Sequence, residues 1–281
     1  MRRIQETMSL LWLRVAVLFY GIAALAVLPA ALYNRPRWRH LAIPVALAGA
    51  FFHFVSIAEN FYAAHRALPV GTHETLSLLG LLLAVAFLLL AAKYRTMAFG
   101  IFLLPATVLL TLVPAFRAGR ETIAYPLAGP VWIFLHVALL LAAYAALLIS
   151  LLASVLYFVQ ERSLKSKFPA TSNGSNLKLP PLETIDQIAL KSLLLGLPCM
   201  TAGLLIGSVV ALETVGPTFF ADPKVLLSLA MWFAYIVMIF IRQHSGLRGR
   251  RAVYLSSFAF LFVLAVWAAN QLSAVHRFTA P

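Results

Sequence analysis

Eight apolar runs, separated by short polar connections, make up most of the chain. A helix needs about 20 apolar residues to cross the hydrocarbon core of a bilayer, and each run has about that length or more. Only helices and closed barrels satisfy every backbone hydrogen bond in lipid, and these runs lack the alternating polarity of barrel strands. The pattern therefore predicts an all-α fold, a polytopic membrane bundle of about eight transmembrane helices. The predicted helices lie at about residues 10–33, 41–64, 75–93, 98–115, 130–160, 187–213, 224–242 and 252–272.

The basic residues predict how this bundle is oriented in the membrane. The connections after the first, third, fifth and seventh runs carry 14 Lys and Arg residues, whereas the opposite connections carry 7. Because basic loops remain in the cytoplasm, this bias places both termini on the extracytoplasmic side. The longest polar segment, residues 160–182, is then a cytoplasmic linker within a single membrane domain that spans residues 1–281.

Composition excludes two other classes of protein. With 62% hydrophobic and 11% charged residues, a soluble globule would have too little polar surface to cover itself. The net charge of +13 does not indicate nucleic-acid binding, because the basic residues flank apolar runs. The single cysteine, Cys199, provides no disulfide, no CxxC redox pair and no CxxCH haem-attachment motif. The first run continues to Tyr33 without a small-residue cleavage motif, so no cleavable signal peptide is expected.

Three of the seven histidines are candidate ligands. The predicted topology places His136, on the fifth helix, and His276, after the eighth, at the same outer depth. Histidine is the usual neutral nitrogen ligand of iron, so this pair is able to bind both faces of one haem. The alternative is that each histidine anchors a helix end at the interface. His53 lies in the middle of the second helix, where an ionisable residue faces the bundle interior as a ligand or as a hydrogen-bonded core residue.

The predicted outer loop between the sixth and seventh helices holds the other candidate residues. Glu213 and Asp222 stand out because carboxylates are scarce in this chain, although an Asp before a Pro is also the ordinary cap of a helix. Phe219 and Phe220 can lie under a porphyrin or belong to the aromatic belt at the membrane interface. The sequence contains no nucleophile elbow, phosphate loop or HExxH motif, so no catalytic site is predicted.

An ordered series of residues in the C-terminal third resembles a known family. The series reads Gly196-Leu197-Pro198, Thr201-Ala202-Gly203, Gly207, Ala211-Leu212-Glu213, Gly216, Asp222-Pro223-Lys224, Trp232, Tyr235, Arg242, Gly246–Ala252, Asn270 and His276. Together with Leu135-His136-Val137 and Tyr144-Ala145, it resembles the CcsA/HemX/YpjD-like cytochrome c assembly proteins, which handle haem. The resemblance covers about residues 40–277.

This resemblance implies a site and a cellular setting. His136 and His276 match the family's outer pair of axial ligands to a non-covalent haem b, and His53 matches a mid-membrane histidine of the shorter relatives. Phe219 and Phe220 would pack on the porphyrin, with Glu213 and Asp222 around the ligands. Arg117, Arg120 or Arg277 would bind the propionates.

The implied location is the bacterial inner membrane, and the implied partners are a CcsB-like membrane protein and apocytochrome c. The chain by itself is not expected to be an enzyme and would at most be part of a haem lyase system.

The chain also departs from the family pattern. Phe219-Phe220-Ala221 replaces a tryptophan-rich loop, Val225 replaces a glutamate, and Phe240 stands near an inner histidine, for which His244 is a displaced substitute. These differences favour the HemX and YpjD branch. They motivate a second hypothesis, a membrane scaffold or regulator of haem metabolism that does not deliver haem. A solute transporter is disfavoured, because we find neither an inverted repeat nor a pair of broken helices.

Overall fold

The predicted helical membrane bundle is confirmed. A computed structural model describes residues 2–33, 35–63, 71–116, 130–165, 179–214, 216–246 and 250–269, and within these ranges every regular element is helical. The elements are α1 (Arg2–Leu32), α2 (Pro36–Ala63), α3 (Gly71–Tyr94), α4 (Gly100–Phe116), α5 (Pro130–Lys165), α6 (Leu182–Thr214), a 3-10 helix (Pro217–Ala221), α7 (Pro223–Ser245) and α8 (Arg250–Ala268).

Seven of these helices are long and apolar enough to cross a membrane, and α4 is the shorter one. The fifth helix continues through Lys165, so the first part of the predicted linker is helical. The Pro180-Pro181 pair precedes α6, as expected from residues that do not continue a helix, and α6 begins at Leu182. Residues 166–178 of the linker lie outside the described residues.

The chain divides into two compact units, and the first contains α1 to α4. Unit 1 comprises Met1–Arg120 and Ser163–Pro181. Within it α1 packs on α2 and α4, and α3 packs on α2 and α4. The contact between α1 and α2 is close, because a Cβ atom at Gly49 would lie 2.9 Å from the ring of the fully buried Tyr20. A glycine here lets two backbones approach, as small residues do in membrane helix pairs.

Unit 2 comprises Glu121–Arg162 and Leu182–Pro281, and it contains α6 to α8 and most of α5. Polar contacts join its helices. The Tyr235 hydroxyl on α7 donates to the Ala143 carbonyl of α5 at 2.7 Å, and the Trp232 indole donates to Thr201 Oγ1 of α6 at 2.9 Å. A Cβ atom at Gly196 would collide with the Tyr235 hydroxyl. In lipid, such contacts hold helices together where the hydrophobic effect between them is absent.

A buried ion pair at the other end of α7 joins four helices. Arg242 donates to Asp186 of α6 at 3.0 Å, and its side chain is 5% exposed. The same guanidinium reaches Ser150 and Ser154 of α5 at 3.4 and 3.5 Å, and Ser154 is 3.2 Å from Ser256 of α8. The charge is therefore neutralised and hydrogen-bonded, which a guanidinium at a membrane helix end requires.

We predict that Gly49→Ala destabilises unit 1 by about 1–3 kcal/mol, because the added methyl group overpacks a rigid aromatic contact. Gly21→Ala on α1 is the matched control, since a Cβ atom there meets no atom within 4 Å. Thermal unfolding of the detergent-purified protein, followed by tryptophan fluorescence, measures both variants. Equal melting temperatures for the two variants would contradict the predicted packing of α1 on α2.

We predict that Arg242→Met lowers the free energy of unfolding by about 3 kcal/mol, because it leaves the Asp186 carboxylate without its ion pair. The double variant with Asp186→Asn is expected to recover part of this loss, since both charges are then removed. Arg251→Met is the control, because Arg251 is exposed on α8. A double variant less stable than Arg242→Met alone would contradict the ion pair.

Candidate functional site

The His136 imidazole of α5 is held against α6 by a hydrogen bond with a defined direction. Its Nδ1 atom lies 2.7 Å from the Gly203 carbonyl oxygen. A carbonyl oxygen only accepts, so Nδ1 carries the hydrogen and the neutral ring keeps its lone pair on Nε2. Within the described residues, Nε2 has no hydrogen-bond partner, and the side chain is half-buried. This is the arrangement in which histidine binds a metal through Nε2.

A second glycine of α6 makes the space for this ring. A Cβ atom at Gly207 would collide with Nδ1 and Cε1 of His136 and would lie 3.2 Å from Nε2. Gly203 and Gly207 are four residues apart and therefore lie one above the other on one face of the helix. Both residues belong to the family-like series, but their role was not predicted. The signal was their spacing, which is that of small residues at membrane helix contacts.

The connection between α6 and α7 approaches the same end of unit 2. Gly216 has φ of +80°, a conformation that favours glycine, and the 3-10 helix follows it. Phe219 is buried in this turn, whereas 52% of Phe220 is exposed. Their ring centroids are 4.1 Å apart. Phe219 therefore supports the turn, and Phe220 is the ring that presents a free surface.

Asp222 and Lys224 form the beginning of α7. The Asp222 carboxylate accepts the backbone N–H of Lys224 at 2.9 Å, so the helix-cap alternative for Asp222 is confirmed. Lys224 interacts electrostatically with both Asp222 and His136. The Asp222 carboxylate partly offsets the charge of Lys224, and the sequence did not indicate a cation in this part of unit 2. Glu213, near the end of α6, is exposed.

Part of the predicted site lies outside the described residues. This holds for His276 and for the three arginines assigned to the propionates, Arg117, Arg120 and Arg277. The pairing of His136 with His276 across one iron therefore stays a prediction. The structure brings His136 together with Gly203, Gly207 and Lys224.

The environment of His53 differs from that of His136. His53 is fully buried in unit 1, where its Nδ1 is 3.3 Å from the Tyr20 hydroxyl and its Nε2 is 2.8 Å from Ser77 Oγ. Gly80 of α3 lets α3 approach Thr111 of α4, since a Cβ atom there would lie 2.8 Å from the Thr111 methyl group, whereas its distance to the imidazole, 3.6 Å, would be an ordinary contact. Both ring nitrogens are occupied by hydroxyl groups. An iron would have to displace one of these hydrogen bonds to bind here.

His244 lies at the end of α7 opposite to the Asp222 cap. Its Nδ1 donates to the Phe240 carbonyl one turn back at 3.1 Å, and the two rings stack with centroids 4.2 Å apart. Both side chains are exposed. The contact is local to one helix, and no second helix holds this ring.

The site chemistry suits an iron that brings its own macrocycle. The described part of the chain contains no group of three or more His, Cys, Asp or Glu side chains able to hold a bare metal ion. Haem iron already has four porphyrin nitrogens and needs only axial ligands. His136 Nε2 has the chemistry of such an axial ligand.

Comparison with known proteins places these residues in a family. The model of the cytochrome C assembly protein family matches residues 70–269. Proteins named cytochrome c biogenesis protein CcsA are similar over shorter lengths. The protein of Prochlorococcus marinus (strain AS9601) is 32% identical over 187 residues, 60% of this chain and 57% of that protein. The protein of Guillardia theta is 28% identical over 166 residues, 54% and 50% of the two chains. This chain thus spans about half the length of these curated relatives.

The protein of Heterosigma akashiwo (strain NIES-293) matches over a longer segment, with 26% identity over 226 residues, 68% of this chain and 69% of that protein. Among solved structures, a chain named cytochrome c heme lyase CcmF has a similar fold, with a TM-score of 0.66 and 18% identity. The match covers 98% of this chain and 47% of that one.

Proposed function

Because the chain belongs to the cytochrome c assembly protein family, we propose that it is a haem-binding membrane component of cytochrome c maturation. The observation that carries the proposal is the Nε2 atom of His136, which has a defined lone pair and no hydrogen-bond partner within the described residues. The similarity to proteins named CcsA supports the process, and the geometry of His136 supports the ligand.

In this proposal, His136 and His276 would hold non-covalent haem b at the predicted outer end of unit 2, each through an imidazole nitrogen to the iron. The exposed Phe220 ring packs on the porphyrin, and Phe219 holds that ring in place. Lys224 provides a positive charge near His136, which favours a group that carries two carboxylates. Asp222 fixes the start of α7 and so positions Lys224.

The chemistry of maturation would be shared among several components. Haem supplies the reactive vinyl groups when bound, and the thiols belong to apocytochrome c, since this chain has one cysteine, Cys199. The chain would hold and orient haem in the bacterial inner membrane, with a CcsB-like protein and apocytochrome c as partners. It would act as part of a haem lyase system and not as an enzyme alone.

The proposal assigns His53 a structural role. Hydroxyl groups of Tyr20 and Ser77 already occupy both of its nitrogens, so it joins α1, α2 and α3 as a buried polar contact. In lipid an unsatisfied imidazole is costly, and these two hydroxyls remove that cost.

We predict that the detergent-purified full chain, reconstituted with hemin, shows the visible spectrum of a low-spin haem with two nitrogen ligands. His136→Ala and His276→Ala should each lower haem affinity by at least about tenfold, since even an outer-shell change costs that much at metal sites. The measurement is a hemin titration followed by absorbance.

His244→Ala is the matched control for this titration. Its imidazole also donates Nδ1–H to a backbone carbonyl, but it is exposed at the other end of α7. We expect it to bind hemin like the unaltered protein. A chain that binds no hemin, or equal affinities for His136→Ala and His244→Ala, would overturn the ligand assignment.

A second function is favoured by the residues of the loop before α7. The side chains of Phe219 and Phe220 carry no N–H group, and that of Val225 carries no charge, so these three side chains offer no polar contact to haem or to a partner. A scaffold or regulator of haem metabolism requires no such presentation. Deleting the gene distinguishes the two functions, because a regulator changes haem precursors more than c-type cytochromes, whereas a maturation component depletes c-type cytochromes.

A further inference from the structure

We infer that Gly207 is a positioning residue that, by leaving the backbone carbonyl of residue 203 uncovered, selects the ring nitrogen presented by His136. The inference deepens the proposed function, on which its significance for haem rests. Neither Gly203 nor Gly207 contributes a side chain. Gly203 contributes a carbonyl that takes the Nδ1 hydrogen, and Gly207 contributes the empty space through which the imidazole reaches that carbonyl.

The Gly203 carbonyl has a lone pair available to accept a second hydrogen bond. In an α-helix, the carbonyl of residue 203 accepts the N–H of residue 207, which uses one of its two lone pairs. The second lone pair points outward from the helix and is the one available to His136, at 2.7 Å. In lipid such an acceptor is able to hold the imidazole N–H where water does not compete for it.

The side chain of residue 207 would cover this lone pair. Every Cα–Cβ bond of a helix is tilted toward the N-terminus, so a side chain lies over the turn that precedes it. A Cβ atom at 207 therefore lies over the 203 carbonyl, in the place taken by Nδ1 and Cε1 of His136. The obstacle is a rigid ring held by a hydrogen bond, so it does not yield as a flexible chain end would. An alanine at 207 must displace the imidazole.

Gly203 offers a matched control one turn away. A Cβ atom there would lie 2.9 and 3.1 Å from Cδ2 and Cγ of Leu140 and 3.4 Å from Cβ of Leu139, so the nearest atoms belong to leucine side chains and include none of His136. The backbone carbonyl of residue 203 remains when the residue becomes alanine. The same substitution on the same helix therefore separates ring displacement from a general loss of glycine.

Gly207 and the carbonyl of residue 203 determine which of the two neutral tautomers His136 adopts. A histidine without this acceptor populates both neutral tautomers, and a hydrogen on Nε2 blocks the lone pair that a metal needs. With Nδ1–H held by Gly203, Nε2 is always the free nitrogen. The hydrogen bond also fixes the ring plane and increases the electron density on the ligand, as second partners of metal-bound histidines do.

The test uses the full chain without haem, labelled with ¹⁵N-histidine, in lipid nanodiscs. Nitrogen chemical shifts identify the protonated atom of each neutral imidazole, and His136→Gln assigns the signal. We expect Nδ1–H in the unaltered protein and in Gly203→Ala, and a mixture of tautomers in Gly207→Ala. An Nε2–H signal in the unaltered protein would overturn the inference, and this measurement does not depend on any glycine variant folding.

Hemin titration provides the second measurement. Gly207→Ala should lower haem affinity by about 10–100-fold, the usual loss when the partner of a metal ligand is removed. Gly203→Ala should retain the affinity of the unaltered protein. If hemin binds through His136 but both glycine variants bind it equally, the inference fails while the proposed function stands. If the tautomer is Nδ1–H but no hemin binds, the proposed function fails while the positioning by Gly207 and the carbonyl of residue 203 stands.

Discussion

The hydrogen bond from His136 Nδ1 to the Gly203 carbonyl is the interaction on which the proposed site depends. It joins α5 to α6, and it determines which nitrogen of the ring is free. The membrane makes this constraint strict, because a buried imidazole has no water to share its hydrogen with. The ring must find a protein acceptor, and a helix offers one only where side chains leave a carbonyl uncovered. Gly207 satisfies that requirement for the carbonyl of residue 203.

His53 and His136 have hydrogen-bond partners of different kinds. His53 is held by two hydroxyl groups, each able to donate or to accept, so either tautomer is compatible with its contacts. His136 is held by one carbonyl, which is compatible with only one tautomer. A residue that must only fill and connect a helix interface needs no defined tautomer, whereas a metal ligand does. The difference between a hydroxyl and a carbonyl partner thus separates a histidine that can adopt either tautomer from one that is restricted to a single tautomer within one chain.

The helices and the local signals at their ends could be predicted from the sequence. The apolar runs predicted the eight α-helices of the described residues, and Asp222 before Pro223 offered, as one of two alternatives, the helix cap that the structure confirms. The ion pair of Arg242 with Asp186 and the contact of His136 with α6 were not predicted, because each depends on how separate helices pack. The burial of Phe219 beside the exposed Phe220 was likewise not evident from two adjacent identical residues.

The replacement of tryptophans by Phe219 and Phe220 changes what the loop before α7 is able to do. An indole ring provides an apolar face and an N–H donor, whereas a phenyl ring provides the face alone. In this chain the two rings of the loop therefore contribute only apolar surface, and charged or ionisable side chains in the same part of unit 2 are those of Lys224 and His136. In the proposed site, recognition of an anionic macrocycle would then depend on α5 and the start of α7 more than on the loop. Haem would be held by rigid helices, which hold a ligand more firmly than a loop does.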